Sequence, residues 1–282
     1  MEIAKVNGVE LEYETTGSGE PLLLISPVVA GAFRPFMSAK PLVERYRLIR
    51  YHKRGWCGST HTTLPVSIAD HVVDAAALLD ELGVRRAHVV GHSSGGAIGL
   101  QLALDYPDRV HTLALLEPSL LNLSSAQGLF AKAGPAMEAY SAGDHETAVE
   151  SFLSVVSGLD RDTCRAVIED NVPGGVAQAI NDADTFFGVE LPALIAWKFG
   201  AEEAAAIHQP ILSVRGTDTE PLWLEVADRL RSWFPQVEEL TVAGVGHLLQ
   251  MQNPEPVALG VAAFLARHAM NSTELVEDLI AR

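Results

Sequence analysis

Short apolar runs alternate with segments of helical spacing along the first 118 residues. Residues 9–15 alternate apolar and polar side chains, which predicts a half-exposed antiparallel strand. The apolar runs at 22–25, 47–51, 87–90 and 112–116 predict strands buried on both faces. Apolar residues recur at helical spacing from 68 to 82 and from 97 to 104. This alternation predicts a mostly parallel sheet with helices on its faces.

The pattern changes after Pro118. Residues 120–208 contain helical stretches, among them 136–140, 147–156 and 194–199, and no convincing buried strand. The strand pattern then resumes at 210–214 and 238–242, with helices predicted at 221–234 and 254–267. We therefore expect one sheet domain, residues 1–118 and 209–282, interrupted by a helical cap of residues 119–208. Residues 272–282 are expected to form a short amphipathic tail.

Composition narrows the class of protein and of partner. Of 282 residues, 48% are hydrophobic and 20% are charged, which excludes a disordered chain. The 20 Lys and Arg stand against 36 Asp and Glu, and this net charge of −16 disfavours nucleic acid and anionic membranes as partners. Two cysteines and the lack of a long apolar run favour a soluble, cytoplasmic protein. We expect a small-molecule partner, and a homodimer is left open.

One motif carries candidate chemistry. The run Gly91-His92-Ser93-Ser94-Gly95 fits the pattern Gly-x-Ser-x-Gly, which is expected about 0.1 times by chance in a chain of this composition and is weak alone. Its position makes it specific, because a buried-strand signal ends where the motif begins and a helix signal follows it. A sharp strand-to-helix turn would expose the Ser93 hydroxyl as a nucleophile. The alternative is a glycine-rich turn in which Ser93 merely caps the helix.

With this motif the chain resembles the α/β-hydrolase superfamily, in its serine hydrolase branch, over essentially its whole length. The glycine-flanked Ser93 follows strand 5, Arg54-Gly55 follows strand 4, and Gly246-His247 follows the last strand. The resemblance implies the α/β-hydrolase fold, a mostly parallel eight-stranded sheet flanked by helices, with a helical cap inserted after strand 6. It also implies that His247 is the base that a serine nucleophile needs.

The carboxylate that orients the histidine has more than one candidate. The usual family position after strand 7 holds Thr219, with Asp218 one residue before it and Glu220 one residue after it. Glu117 directly follows four apolar strand residues, where a buried carboxylate without a partner is costly. At this point the chain resembles zearalenone-type lactonases and certain haloalkane dehalogenases, whose acid follows strand 6. We predict Glu117 as the acid, with Asp218 as the alternative and Glu220 as a third candidate.

Two backbone N–H groups are expected to form the oxyanion hole. The first belongs to Ser94, directly after the nucleophile. The family usually has His-Gly in the loop after strand 3, and this chain has Ser26-Pro27 instead. Because Pro27 has no N–H, the second donor is Val28 by position.

The cap aromatic residues suggest an apolar binding pocket, for which we select Tyr140, Phe187 and Trp197. The expected function is hydrolysis of a carboxylic ester or lactone through an acyl-enzyme, without a metal or other cofactor. Carbon–carbon bond hydrolysis or cofactor-free perhydrolysis on the same triad is the alternative within the fold. A catalytically silent ligand receptor is the alternative from another class. The nearby Asp70, His71 and Asp74 are expected to form only the solvated face of a helix.

Overall fold

The computed structural model describes residues 1–270, and eight strands of this part of the chain form one sheet. The strands are β1 (Glu2–Val6), β2 (Val9–Thr16), β3 (Glu20–Ile25), β4 (Tyr46–Tyr51), β5 (Ala87–His92), β6 (Val110–Leu116), β7 (Ile211–Gly216) and β8 (Glu238–Val242). Their order across the sheet is β1-β2-β4-β3-β5-β6-β7-β8, and β2 runs antiparallel to both of its neighbours while the remaining pairs are parallel. The predicted fold class is confirmed.

The hydrophobic pattern accounts for seven of these strands. The central strand β5 is buried along its whole length, as expected of a strand with helices on both sides. The edge strand β1 had no counterpart in the predictions, because its residues are mostly exposed and carry no continuous apolar run.

Helices cover both faces of the sheet. The helices that follow the strands of the sheet are α1 (Lys40–Val43), α2 (Ile68–Glu81), α3 (Ser94–Asp105), α11 (Pro221–Trp233), α12 (Leu249–Gln252) and α13 (Pro254–Arg267), with 3-10 turns at Arg34–Ser38 and Pro107–Arg109. One apolar layer packs α2, α3 and α11 against the sheet, and the other packs α1, α13 and the 3-10 turn Arg34–Ser38 against the opposite face. Within residues 1–270 no helix is long and apolar enough to cross a membrane.

The segment between β6 and β7 is helical throughout its regular structure. It contains α4 (Ala126–Ser141), α5 (His145–Ser157), α6 (Arg161–Asn171), α7 (Gly175–Asn181), α8 (Ala183–Thr185), the π-helix Phe186–Glu190, α9 (Leu191–Ala196) and α10 (Ala201–Ala205). The expected helix at 194–199 is wrong in its second half, because α9 ends at Ala196 and Trp197 is extended. The exact division into a sheet domain and a cap stays a prediction, and the tail at 272–282 lies outside the described residues.

The expectation for Asp70, His71 and Asp74 is wrong for two of the three. Only Asp70 is exposed; it forms a capping box with Ser67 at the start of α2. His71 and Asp74 are buried, and Asp74 accepts two hydrogen bonds from Arg54 at 2.7 and 2.9 Å. The helical pattern did not show this because the arginine that neutralises Asp74 lies 20 residues earlier in the chain.

Candidate functional site

Ser93 lies at the turn between β5 and α3, in the middle of the carboxyl edge of the sheet. Its φ of 55° is strained for a residue with a side chain, and its side chain makes no helix-capping hydrogen bond. The turn is tight because a Cβ on Gly95 would lie 2.0 Å from the carbonyl oxygen of Ile25. The geometry therefore matches the predicted exposed turn and not the alternative of a capping serine.

His247 and Glu117 meet beside this turn. The Nδ1 atom of His247 lies 2.7 Å from Oε2 of Glu117, and both residues are at least 97% buried. When Glu117 is ionised it can only accept hydrogen bonds, so Nδ1 then carries the proton and Nε2 is left as an acceptor. This is the tautomer that can take a proton from a serine hydroxyl.

The strand order explains why Glu117 reaches the histidine. Glu117 follows β6, and β6 lies between β5, which leads to Ser93, and β7. Its backbone has a φ of 41°, an unusual value for a non-glycine residue that turns the chain at the end of the strand. The N–H of Gly216 and the hydroxyl of Thr219 each donate to the Glu117 carboxylate at 3.0 Å. These two hydrogen bonds hold the carboxylate beside the histidine.

The other two acid candidates lie elsewhere. Asp218 is exposed and accepts a hydrogen bond from the adjacent Thr217 hydroxyl at 2.8 Å. Glu220 pairs with Lys132 at the start of α11. Thr219, which stands at the usual family position of the acid, instead donates to Glu117. The loop after β7 thus contributes a hydrogen-bond donor to a carboxylate supplied by β6.

Burial controls the protonation of the pair. It lowers the pKa of His247 to about 3, so the imidazole is neutral at ordinary pH. It raises the pKa of Glu117 to about 8, and the hydrogen bonds from Gly216 and Thr219 offset this only in part. Desolvation of two adjacent groups disfavours their charged forms. The two residues therefore exchange protons as one coupled unit.

The surroundings of His247 include contacts that the sequence did not indicate. The Trp223 ring stacks on the imidazole with the ring centroids 3.8 Å apart and the planes 3° from parallel. His92 donates from Nε2 to the carbonyl oxygen of His247 at 2.8 Å, and Gln250 donates to the other ring nitrogen of His92. These contacts hold the ring and the backbone of His247 in place. No sequence motif predicts these contacts, because they join segments more than 20 residues apart.

The Ser93 hydroxyl lies 3.2 Å from the hydroxyl of Ser119. Ser93 and His247 both line one cavity, and Ser119 lies at the same wall. In resting enzymes the hydrogen bond between nucleophile and base is often long and shortens only when substrate binds. Ser119 was missed by the sequence analysis. The only available signal was its position two residues after Glu117.

The two expected oxyanion donors, Val28 and Ser94, both line this cavity. Ser94 is the first residue of α3, where backbone N–H groups have no partner within the helix. The close approach of Gly95 to Ile25 brings the loop after β3 against this end of the helix. The two segments predicted to supply the donors are therefore adjacent in space.

The cavity roof is apolar but does not consist of the predicted residues. Its cap residues include Leu121, Leu129, Phe130, Ala133, Phe152, Leu153, Val156, Phe186, Leu191 and Leu194. Helical spacing indicates which apolar residues share one face of a helix, but it does not indicate whether that face points to the nucleophile.

Tyr140, Phe187 and Trp197 lie outside this lining, which corrects their selection as substrate-binding residues. Tyr140 stacks on Phe187 and donates to Asp184, so both rings pack within the cap. Trp197 follows the end of α9, and its indole N–H donates to Gln101 at 2.7 Å. Each of these rings therefore contacts a residue distant in sequence and does not face the cavity.

Comparisons with known proteins agree with this architecture. A family model described as the alpha/beta hydrolase fold matches residues 21–254. The "Putative carbamate hydrolase RutD" of Caulobacter vibrioides (strain NA1000 / CB15N) is 28% identical over 279 residues, which cover 94% of this chain and 98% of that protein. The protein of the same name from Azorhizobium caulinodans is 39% identical over 118 residues, 41% of this chain and 44% of its own length.

A solved structure shows the same fold at lower identity. The enol-lactonase from Burkholderia xenovorans LB400 is similar with a TM-score of 0.73 and 22% identity, over 94% of this chain and 100% of that one. At this level of identity the likeness concerns the fold alone.

Proposed function

The chain belongs to the α/β-hydrolase fold family, and we propose that it is a serine hydrolase that cleaves a carboxylic ester or lactone of a mostly apolar small molecule. One observation carries the proposal: a strained, glycine-flanked Ser93 shares a cavity with His247, whose Nδ1 lies 2.7 Å from the buried carboxylate of Glu117. A structural role alone does not require Ser93 and His247 to line the same cavity while a buried carboxylate contacts the far nitrogen of the histidine.

In the proposed reaction Ser93 Oγ attacks the substrate carbonyl carbon while Nε2 of His247 accepts the hydroxyl proton. Glu117 stabilises the imidazolium that forms. The negative charge on the carbonyl oxygen is held by the N–H groups of Val28 and Ser94. When the tetrahedral intermediate collapses, His247 returns the proton to the leaving alkoxide. Water, activated by the same histidine, then releases the acid and regenerates Ser93, and no step requires a cofactor.

The cavity lining favours apolar substrates. Leucine and phenylalanine side chains of the cap form most of the roof, and the polar groups are concentrated beside Ser93. Such a lining binds a hydrophobic acyl or alcohol group and leaves the carbonyl to be oriented by the polar groups. A lactone satisfies these requirements in the same way as an open-chain ester.

Carbamates are the second candidate, because the relative matched over 94% of this chain is named as a carbamate hydrolase. The same attack on a carbonyl carbon would expel an amine or an alcohol. The apolar roof favours the ester or lactone over a small polar carbamate. Rates on matched ester, lactone and carbamate substrates of equal carbon number would rank the three classes.

Active-site labelling tests the proposal directly. A fluorophosphonate probe should modify the protein at one residue, and mass spectrometry of the digest should place the adduct on Ser93. S93A should lose both labelling and hydrolysis of p-nitrophenyl esters. S94A keeps the nucleophile and the backbone N–H, so it should still be labelled at Ser93. An unlabelled wild-type protein that leaves all three substrate classes intact would support the silent-receptor alternative.

The same substrate panel covers the alternative within the fold. Carbon–carbon bond hydrolysis would appear as cleavage of a vinylogous diketone without ester turnover. Perhydrolysis would appear as peracid formation from a carboxylic acid and hydrogen peroxide. Either result with ester turnover absent would replace the ester and lactone proposal.

A further inference from the structure

A buried ion pair lies next to the proposed oxyanion hole and has no role in the mechanism above. Lys53, in the loop after β4, places its Nζ atom 2.7 Å from both carboxylate oxygens of Glu190. Lys53 is 2% exposed and Glu190 is fully buried. Glu190 is the last residue of the π-helix Phe186–Glu190 in the helical segment over the site. The pair therefore joins the sheet domain to this segment.

The surroundings favour the charged form of Glu190, whereas burial lowers the pKa of Lys53. The indole N–H of Trp56 donates to Glu190 at 2.8 Å, and the Lys53 ammonium lies 5.0 Å from the Trp56 ring centroid. Burial raises the pKa of Glu190, but the charge and the hydrogen bonds around the carboxylate, with the Lys53 ammonium first among them, together hold this pKa below its ordinary value. A buried ion pair adds little net stability compared with two apolar side chains. The position of the ion pair therefore indicates that it holds neighbouring groups in place.

The position of the pair is informative because of a third contact. Lys53 Nζ also donates to the hydroxyl of Ser94 at 3.1 Å. Ser94 lines the cavity and supplies the proposed oxyanion donor through its backbone N–H. Phe186, the first residue of the π-helix, and Leu191, the residue after Glu190, both line the cavity roof. One ammonium group is thus hydrogen-bonded to the oxyanion residue and to the segment that carries the roof.

We propose that Lys53, held by Glu190, is a positioning residue for the oxyanion hole. It fixes the side chain of Ser94, and with it the first turn of α3, so that the Ser94 N–H points at the place where negative charge develops. This inference rests on the proposed function, because an oxyanion hole matters only if Ser93 attacks a carbonyl. Its effect should be on the transition state and not on the binding of the substrate.

A purely structural role makes a different prediction. The same loop is attached to the cap by other hydrogen bonds, from the Thr185 hydroxyl to the carbonyl of Gly55 at 2.7 Å and from the Cys57 N–H to Asp182 at 3.0 Å. These bonds do not involve Ser94. T185V is therefore a matched control that weakens the attachment of the cap without touching the oxyanion residue.

The test compares K53M with T185V on an ester that the wild-type protein hydrolyses. K53M should lower kcat by about 10- to 100-fold, as expected when a catalytic group is displaced, with KM changed by less than about threefold. Its affinity for a trifluoromethyl ketone analogue, which forms an oxyanion on Ser93, should fall by the same factor as kcat/KM. T185V should retain kcat within about threefold of wild type. Equal losses in K53M and T185V would overturn the proposal.

A double-mutant cycle with S94A tests the route of the effect. If Lys53 acts through the Ser94 hydroxyl, K53M should reduce kcat by less than about threefold in an S94A background. Fully additive losses would show that Lys53 acts by another route and would overturn the proposal.

Folding of the variants needs a separate check, because K53M leaves Glu190 as a buried carboxylate without its cation. The double variant K53M/E190M retains neither charge and should fold, as measured by circular dichroism and thermal unfolding. It should remain at least about 10-fold below wild type in kcat, since Ser94 has still lost its donor. Recovery to the wild-type rate would show that only the unpaired charge was harmful and would overturn the positioning role.

The outcomes also separate this inference from the proposed function. If the wild-type protein is labelled at Ser93 and turns over esters while K53M is equally fast, only the role of Lys53 is wrong. If the wild-type protein is neither labelled nor active, both conclusions are wrong.

Discussion

Replacing Glu117 with glutamine should lower kcat/KM by about 10⁴-fold, whereas D218N should change it by less than about threefold. The side-chain amide of glutamine has nearly the size of the carboxyl group, so the substitution changes hydrogen bonding and leaves packing intact. Asp218 is the control because it is one residue from the usual family position of the acid and is exposed, and its carboxylate accepts a hydrogen bond from the adjacent Thr217.

The magnitude follows from the tautomer of His247. Ionised Glu117 accepts from Nδ1, which lies 2.7 Å away, and this leaves Nε2 unprotonated. In E117Q the Gly216 N–H still requires an acceptor, so the amide oxygen stays with Gly216 and the amide nitrogen faces His247. That nitrogen is a donor, and it forces the proton of the imidazole onto Nε2. A histidine protonated on Nε2 cannot accept the proton of Ser93, and a loss of 10⁴-fold corresponds to about 5 kcal/mol of barrier.

The assay is initial-rate hydrolysis of a p-nitrophenyl ester by wild type, E117Q and D218N, with thermal unfolding of each. E117Q should keep or gain stability, because burial raises the Glu117 pKa to about 8 and the neutral amide removes the cost of ionising a buried group. That gain is absent at pH below the unfolded-state pKa and grows as the pH rises towards 8. The reasoning is refuted if E117Q keeps a rate within about tenfold of wild type while D218N loses more than about 100-fold.

Three further outcomes follow from the same contacts. The kcat/KM profile should rise with pH and level off above about 8, since His247 is already neutral and Glu117, with its pKa raised to about 8, must ionise before it can accept from Nδ1 of His247; a profile that is already level from pH 6 upwards would contradict this. W223F should lower kcat by about tenfold, because phenylalanine covers less of the imidazole than the stacked indole does, and an unchanged kcat would show that the stacking is not needed. D74A should lower the free energy of unfolding in urea by about 3 kcal/mol, because it leaves the guanidinium of Arg54 unpaired, and a loss under about 1 kcal/mol would mean that solvent compensates Arg54.

Local features of the sequence account for the fold and for the turn that carries Ser93. A strand buried on both faces must be a continuous apolar run, and the turn after β5 must use small residues because the carbonyl of Ile25 leaves no room for a Cβ at position 95. These constraints act within a few residues, so they can be read along the chain. Glu117 was also accessible by this route, because a carboxylate after four apolar residues needs a partner.

Local patterns do not identify that partner: the resemblance implied His247, and the tertiary structure brings the two side chains to 2.7 Å. The order β5-β6-β7 places Glu117 between the Ser93 turn and the loop that contains Thr219, and no local pattern contains this order. For the same reason, local sequence patterns did not predict the roof residues, the burial of Asp74 or the ion pair of Lys53 with Glu190. Lys53 and Glu190 are 137 residues apart, and whether a charged residue is solvated or buried depends on which distant segment packs over it. Sequence alone determined which elements form and in what order, whereas the contacts between elements decided which side chains face each other across the site.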